Sequence, residues 1–328
     1  MRIGLIDVDG HNFPNLPLMK ISAYHKSIGD SVEWYDNLLH SIGEPFDKVY
    51  MSNVFSDEYT PDYPYCVNAK EVIKGGTGYS IKIDDNGKEY FDKNNHNDLP
   101  YEIEHIYPDY SLYPEYTDDT AYGFLTRGCC NNCSFCIVSK KEGICSHKVA
   151  DLSEFWNGQK NIKLLDPNLL ACKEHLDLLQ QLVDSKAYVD FTQGLDARFI
   201  NEKNVELLKQ IKTKMIHFAF DFMKFEKQIT KGLKLFKECT NISDRKAVVY
   251  MLTNYDTTIE EDMYRINKIR ELGYMPDVRI YRKESLPKRH ILRDLQRWCN
   301  NRFIFRSCEF EDYTPRKDGK SMKELYGL

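Results

Sequence analysis

The chain has 328 residues, with 45 Lys and Arg against 50 Asp and Glu for a net charge of −5. Hydrophobic residues at 42% and charged residues at 29% are ordinary for a soluble globular protein with two domains, or one large α/β domain and an extension. No apolar run approaches the ~20 residues that cross a bilayer, the start carries early acids and no signal-peptide core, and the acidic balance disfavours nucleic acid as a partner, so a cytoplasmic protein acting on a small molecule is expected.

The first hundred residues read as a small Rossmann-like α/β unit. Ile3–Val8 has the pattern of a buried strand, and Asp9–Pro14 is a turn-rich loop. A helix is expected over Leu16–Ser27, then strands at Ser31–Tyr35 and Lys48–Met51. No GxGxxG follows the first strand, and Gly75-Gly76-Thr77-Gly78 is a weak phosphate-binding signal. Tyr79–Phe91 alternates about Asn86-Gly87, the pair that best accepts a type I′ turn, and predicts a hairpin. Asp92–Asp98 is a polar loop, and the Pro/Tyr-rich stretch Pro108–Tyr116 marks a domain boundary.

From Ala121 onward, strand and helix patterns alternate. Strands are expected at Tyr122–Thr126, Ile162–Leu165, Val189–Thr192, Met215–Phe220, Ala247–Leu252 and Val278–Tyr281. Helical periodicity runs through Cys172, Leu176, Leu179 and Val183, and again through Val205, Leu208 and Ile211. The helix after the fifth strand opens on the capping box Thr258-Ile-Glu-Glu261 and stops at Gly273, with Pro276 beyond. Six βα repeats, short of eight, predict a partial parallel (β/α)6 barrel. The expected domains are residues 1–115, the α/β unit with its hairpin; 116–285, the barrel; and 286–328, a C-terminal extension with a helix over Arg289–Trp298.

The densest chemical signal is Cys129-Cys130-Asn-Asn-Cys133-Ser-Phe135-Cys136, four cysteines in eight positions. Cys129, Cys133 and Cys136 are spaced C-x3-C-x2-C with an aromatic before the last. Three thiolates on one loop hold three irons of a [4Fe–4S] cube and leave the fourth iron open. Other readings exist. Cys130, Cys133 and Cys136 form a C-x2-C-x2-C ferredoxin-like fragment, but Ser139 stands where its fourth cysteine belongs. A zinc site with Cys145 or His147 as fourth ligand is a further alternative, and would make the chain a non-enzymatic zinc-binding module. A disulfide scaffold does not suit clustered cysteines in a chain of this length without a secretory signal. Cys66, Cys145, Cys172, Cys239, Cys299 and Cys308 form no second cluster, so one metal centre is expected.

The C-x3-C-x2-C spacing with Phe135 resembles the signature of the radical S-adenosylmethionine (radical SAM) enzymes. That resemblance implies a partial barrel with the cluster loop after its first strand, where Cys129–Cys136 stands. It implies reductive cleavage of SAM to methionine and a 5′-deoxyadenosyl radical, with an external electron donor such as flavodoxin or ferredoxin. In parallel barrels the site forms at the C-terminal ends of the strands. After the second strand, Asp166-Pro167-Asn168 stands where the family has a Gly-Gly-Glu-like segment; the two glycines are absent. Asp166 and Asn168 are then SAM ligands, or this segment is simply a helix-starting turn. Gln193-Gly-Leu-Asp196-Ala-Arg198 looks like the segment in radical SAM proteins related to methylthiotransferases and cobalamin-dependent methylases. Arg198 would fork to the SAM carboxylate, Asp196 would orient it and Gln193 would face the ligand; a structural Asp–Arg pair is the alternative. Asp221, Tyr250 and Asn254 are further substrate candidates at strand ends.

The N-terminal order Asp9-x-His11-x-x-Pro14, Ser52-x-Val54, Gly75-Gly76 echoes the cobalamin-binding pattern, with Pro14 and Val54 departing from it. It reads as a cobalamin-domain-like fold reused, with His11 and Asn12 as substrate ligands or His11 as an ordinary loop residue. The whole chain resembles small radical SAM proteins beginning I-G-L-I-D-x-D-G-H-N-F-P-N, among them the queuine lyases. That implies cleavage of the C–N bond of queuine, a 7-deazapurine base, to release preQ1. The alternative is a cobalamin- or methylthiotransferase-related modifying enzyme. A methylthiotransferase needs three more cysteine ligands in the N-terminal domain, where only Cys66 stands.

Overall fold

The computed structural model describes residues 1–10, 13–56, 59–84, 89–95 and 97–327. It divides into two compact units, Met1–Leu165 and Asp166–Leu328. The Pro108–Tyr116 connector, read as a domain boundary, lies within the first unit.

The first unit opens on a parallel sheet of β1 (Arg2–Asp7), β2 (Ser31–Trp34), β3 (Phe46–Ser52) and β4 (Ala69–Gly75), in the order β2-β1-β3-β4. Both faces of β1 are covered, which is why it reads as one apolar run. Ile3 and Leu5 pack with Leu18, Ile21 and Ile103, while Ile6 packs with Tyr35, Phe46, Val49 and Met51. The helix Leu16–Ser27 starts where expected because the Asn15 side chain accepts from the Leu18 N–H at 3.3 Å, with Pro17 in the first turn. Strand β4 has no counterpart in the sequence reading. Its Ala-Lys-Glu-Val-Ile-Lys-Gly run is mostly exposed at the sheet edge, and its lysines hide the strand pattern while discouraging edge pairing.

Gly75–Gly78 serves a close backbone approach. Gly76 has φ +99°, and a Cβ there would lie 2.3 Å from the Asn53 carbonyl oxygen; one on Gly78 would lie 2.0 Å from the Phe55 carbonyl oxygen. Beyond it, β5 (Ile81–Ile83) and β6 (Glu89–Phe91) pair antiparallel as the expected hairpin, although Tyr79 and Ser80 belong to a helical turn, Thr77–Ser80. The Asn86-Gly87 turn lies outside the described residues.

The rest of this unit holds β7 (Thr120–Gly123), β8 (Thr126–Arg127), β9 (His147–Lys148) and β10 (Asn161–Leu164). β7 and β10 are parallel, whereas β8 and β9 form a short antiparallel clasp. The single strand expected over Tyr122–Thr126 is therefore two. Gly123 abuts the Phe155 ring, and the buried Leu125 accepts from the Val149 N–H at 2.9 Å, so the chain turns between them.

The second unit carries β11 (Tyr188–Leu195), β12 (Lys212–Ala219), β13 (Ala247–Thr253) and β14 (Met275–Ile280) as a parallel ladder in chain order. Helices His175–Ser185, Glu202–Gln210, Glu226–Thr240 and Ile259–Glu271 precede or separate the strands, giving the alternation read from the sequence. Cys172 is not part of the first helix. It follows a 3-10 turn, Leu169–Ala171, and burial with the neighbouring Glu174 pushes its thiol up to about 11. The Thr258–Glu261 capping box forms, and Gly273 follows the helix at φ +79°. Pro276 sits within β14, at the ladder's edge, where a missing N–H is tolerated. The C-terminal helix Ile291–Asn300 lies against this strand: Gln296 donates to the Val278 carbonyl at 2.8 Å, and Asn300 accepts from the Val278 N–H at 2.8 Å. Among the described residues, no helix is long and apolar enough to cross a membrane.

Candidate functional site

The cysteine loop is an excursion from the β8–β9 clasp. Gly128 begins it at φ +82°, and a Cβ there would lie 2.2 Å from the Cys145 carbonyl oxygen, so only glycine fits. Glu142 fastens the base: its carboxylate accepts from Arg127 at 2.9 Å and from the Gly128 N–H at 3.1 Å. The Cys129 N–H donates to the Gly143 carbonyl at 3.2 Å, and the Cys136 N–H to the Cys133 carbonyl at 3.0 Å. Asn132, at φ +45°, accepts from the Ser139 hydroxyl at 2.9 Å. Lys141 donates to Thr77 at 2.8 Å, and burial, then the charge of Arg127, lowers its pKa. The sequence reading missed Arg127 and Glu142. They stand fifteen positions apart, and neither belongs to a motif.

Within this loop Cys129, Cys133, Cys136 and Phe135 are half-buried, while Cys130 is exposed. The donor chemistry fits an iron–sulfur cluster: three soft thiols within eight residues, on a loop fastened at its base through Arg127, Gly128 and Glu142. Among the described residues no three His, Cys, Asp or Glu side chains form a group that could hold a metal ion. Cys145 and His147 are exposed, and the His147 ring contacts the Cys145 carbonyl oxygen at 3.2 Å.

In the second unit, Asp166 and Asn168 are buried, and Asn168 stands at the head of the turn Leu169–Ala171. The Asn168 amide reaches Asp196 at 3.5 Å. Asp196 accepts from the Arg198 N–H at 3.1 Å and takes a two-pronged contact from its guanidinium, at 2.9 and 2.5 Å. Arg198 also lies over the Phe225 ring, 4.3 Å from its centroid. Asn168, Asp196 and Arg198 thus form one connected polar group. Gln193 is exposed, on a strand that runs on through Leu195; Gly194, at φ +98°, accompanies the register shift between Phe191 and Leu195.

The three rim candidates take separate places. Tyr250 stacks on His217 at 4.8 Å, the Arg279 guanidinium lies over its ring at 4.9 Å, and burial raises its pKa. Asn254, at φ +63°, donates to the Tyr281 carbonyl at 2.8 Å and ties two strand ends together. Asp221 accepts from the Leu252 N–H at 2.9 Å. His11 and Asn12, the candidates in the N-terminal loop, lie outside the described residues.

Burial also raises the Asp221 carboxyl above the usual carboxylate range. The unfolded chain releases this proton at lower pH than the folded chain does. Its contribution to stability is therefore intact below about pH 4 and is lost as pH rises through the folded value. Asp221→Asn is expected to match the parent at acid pH and exceed it at neutral pH in denaturant melts. A gain that does not vary with pH would remove this account.

Behind these strand ends lies a group that the sequence reading also missed. Arg265 is fully buried and donates to the carbonyls of Phe220 at 2.7 Å, Asp221 at 2.9 Å and Leu252 at 2.8 Å. It pairs with the buried Asp262, which also accepts from Thr253 and Thr257. One guanidinium thereby joins the C-terminal ends of β12 and β13. A cleft of about 820 Å³ lies elsewhere in this unit, lined by Lys237, Tyr274 and Met275 near the start of β14.

No family model matches the chain, and no curated protein matches it. Among solved structures, SuiB of Streptococcus suis bound to S-adenosylmethionine is similar at 14% identity and a TM-score of 0.41, over 65% of this chain and 55% of that one. SuiB bound to precursor peptide SuiA gives 13% identity and 0.38, over 64% and 52%. SuiB alone gives 12% and 0.40, over 66% and 55%. The chain therefore spans about half the length of SuiB, and likeness at this level assigns neither family nor activity.

Proposed function

We propose that the chain is a radical SAM enzyme holding a [4Fe–4S] cluster on Cys129, Cys133 and Cys136. The observation that carries this reading is the C-x3-C-x2-C frame with Phe135, whose three thiols are half-buried while Cys130 is exposed. When bound, the cluster and SAM supply one-electron cleavage of SAM and removal of a hydrogen atom from a substrate carbon. The chain's own residues hold and position. Glu142 and Arg127 fix the base of the loop, and Phe135 offers an apolar ring beside the thiols. Asp196 orients the Arg198 guanidinium, whose charge suits the methionine carboxylate, and Asn168 adds a polar contact to that pair. Asp166 and Gln193 complete the proposed SAM ligands.

On this reading residues 1–115 are a cobalamin-domain-like unit, 116–285 a partial (β/α)6 barrel and 286–328 an extension, in a cytoplasmic enzyme served by flavodoxin or ferredoxin. The finer proposal is a lyase that cleaves the C–N bond of queuine and releases preQ1. Its support is the resemblance of the N-terminal I-G-L-I-D-x-D-G-H-N-F-P-N run, with tyrosines available for stacking on a deazapurine. His11, Asn12, Asp221, Tyr250 and Asn254 are the proposed substrate contacts.

The test is anaerobic incubation of reconstituted protein with SAM, reductant and a panel of 7-deazapurines, read by mass spectrometry. The expected products are 5′-deoxyadenosine and, from queuine, preQ1. Arg198→Ala should keep its iron and lose ~1.5–3 kcal/mol of SAM affinity. Deoxyadenosine without preQ1 would keep the enzyme class and remove the lyase; unchanged SAM affinity would leave Arg198 a structural partner of Asp196.

A further inference from the structure

The acidic total conceals a concentrated basic face. Residues 282–306 carry eight Lys and Arg against Glu284 and Asp294, in a chain whose net charge is −5. Five of these cations, Lys283, Lys288, Arg293, Arg297 and Arg302, line a groove of about 710 Å³ along the helix Ile291–Asn300. Arg293 and Arg297 stand four residues apart on the polar side of that helix; its other side buries Leu292, Leu295 and Trp298.

These cations lack acidic partners. Among the described residues none of the five forms an ion pair, whereas the neighbouring Arg270, Arg279 and Arg306 each hold a carboxylate. Their contacts are with neutral groups: Arg293 donates to the carbonyls of Lys283 at 2.6 Å and Leu286 at 3.0 Å, and Arg302 to that of Asp244 at 2.9 Å. Asp294 faces Arg316 at 3.6 Å and Tyr326 at 3.1 Å instead. Such hydrogen bonds fix the guanidinium positions without cancelling their charge. At the same groove Phe303 is 87% exposed, an aromatic face offered to solvent beside the cations.

We propose that this groove binds single-stranded nucleic acid, the cations tracking its phosphates and Phe303 stacking on a base. Positioned cations with an adjacent exposed aromatic are what a flexible phosphodiester strand requires, because each base has a face to stack and each linkage a charge to neutralise. The proposal does not depend on the enzyme reading above.

The test is fluorescence anisotropy of a labelled oligouridylate of about 12 nucleotides, titrated with the full chain at about 50 mM salt. Binding is expected to weaken with salt, at about −0.7 in log K per log salt for each phosphate engaged. Lys288→Glu with Arg297→Glu should lower affinity tenfold or more and reduce that slope by roughly 1.4. Lys227→Glu with Lys231→Glu, the same charge change at exposed sites of another helix, should change affinity less than about threefold. If circular dichroism shows the first pair unfolded, Lys283→Glu with Lys288→Glu replaces it. Phe303→Ala should weaken oligouridylate about tenfold and leave heparin binding unchanged, since heparin has no base to stack. The proposal is overturned if the parent does not bind oligouridylate, if the control pair weakens it as much, if Phe303→Ala affects heparin equally, or if the chain sediments with phosphatidylserine vesicles and ignores RNA.

Discussion

Replacing Cys129, Cys133 or Cys136 by Ala, one at a time, is expected to reduce iron and acid-labile sulfide to background after anaerobic reconstitution, and to abolish SAM cleavage. A cubane held by three thiolates has no spare protein ligand, so each loss removes one iron's anchor. Cys130→Ala should retain the full complement, because Cys130 lies outside the C-x3-C-x2-C frame and its side chain is exposed. The series separates three readings in one measurement. Iron that survives Cys129→Ala but not Cys130→Ala would restore the ferredoxin-like frame. Zinc in place of iron in the parent, lost with Cys145→Ala, would identify a zinc module.

The second large effect is on stability. Arg265→Leu is expected to cost about 3–5 kcal/mol in denaturant melts, since it leaves the buried Asp262 carboxylate without its counter-charge. It also strips donors from the carbonyls of Phe220, Asp221 and Leu252. Asp262→Leu combined with Arg265→Leu should recover part of that loss by removing both charges. If the double variant is no more stable than Arg265→Leu, the carbonyl contacts alone account for the cost.

Elements with a local cause were legible in the sequence. Asn15 and Pro17 set the first helix, and Thr258 with Glu261 set the start of the helix Ile259–Glu271, each through contacts within four residues. The strands of the second unit announced themselves through apolar runs, although Gly194 hid the last part of β11, where φ +98° continues a strand through a register shift. Strand β4 was missed because an edge strand rich in lysine and glutamate shares its pattern with a solvated loop. Asp262 and Arg265 show the converse. A pair spaced i, i+3 has the same letters on a wet helix face as in a core, and only the fold buries this one. The cysteine frame was readable because its cysteines are neighbours in sequence, whereas its fastenings Arg127 and Glu142 become neighbours only when the chain returns. Whole-chain charge is blind in another way, since a sum erases where the charges sit.

The clasp at the foot of the cysteine loop bears on how a cofactor would enter and leave. The β8–β9 pairing, the Glu142 carboxylate and the Gly143 carbonyl together fasten the base of residues 127–148, through Arg127, Gly128 and the Cys129 N–H. On the proposed reading that footing rests on backbone and ion-pair contacts, whereas in small zinc domains the ion is the fold. A cluster held there, as proposed, would be set into a loop whose footing the chain itself supplies.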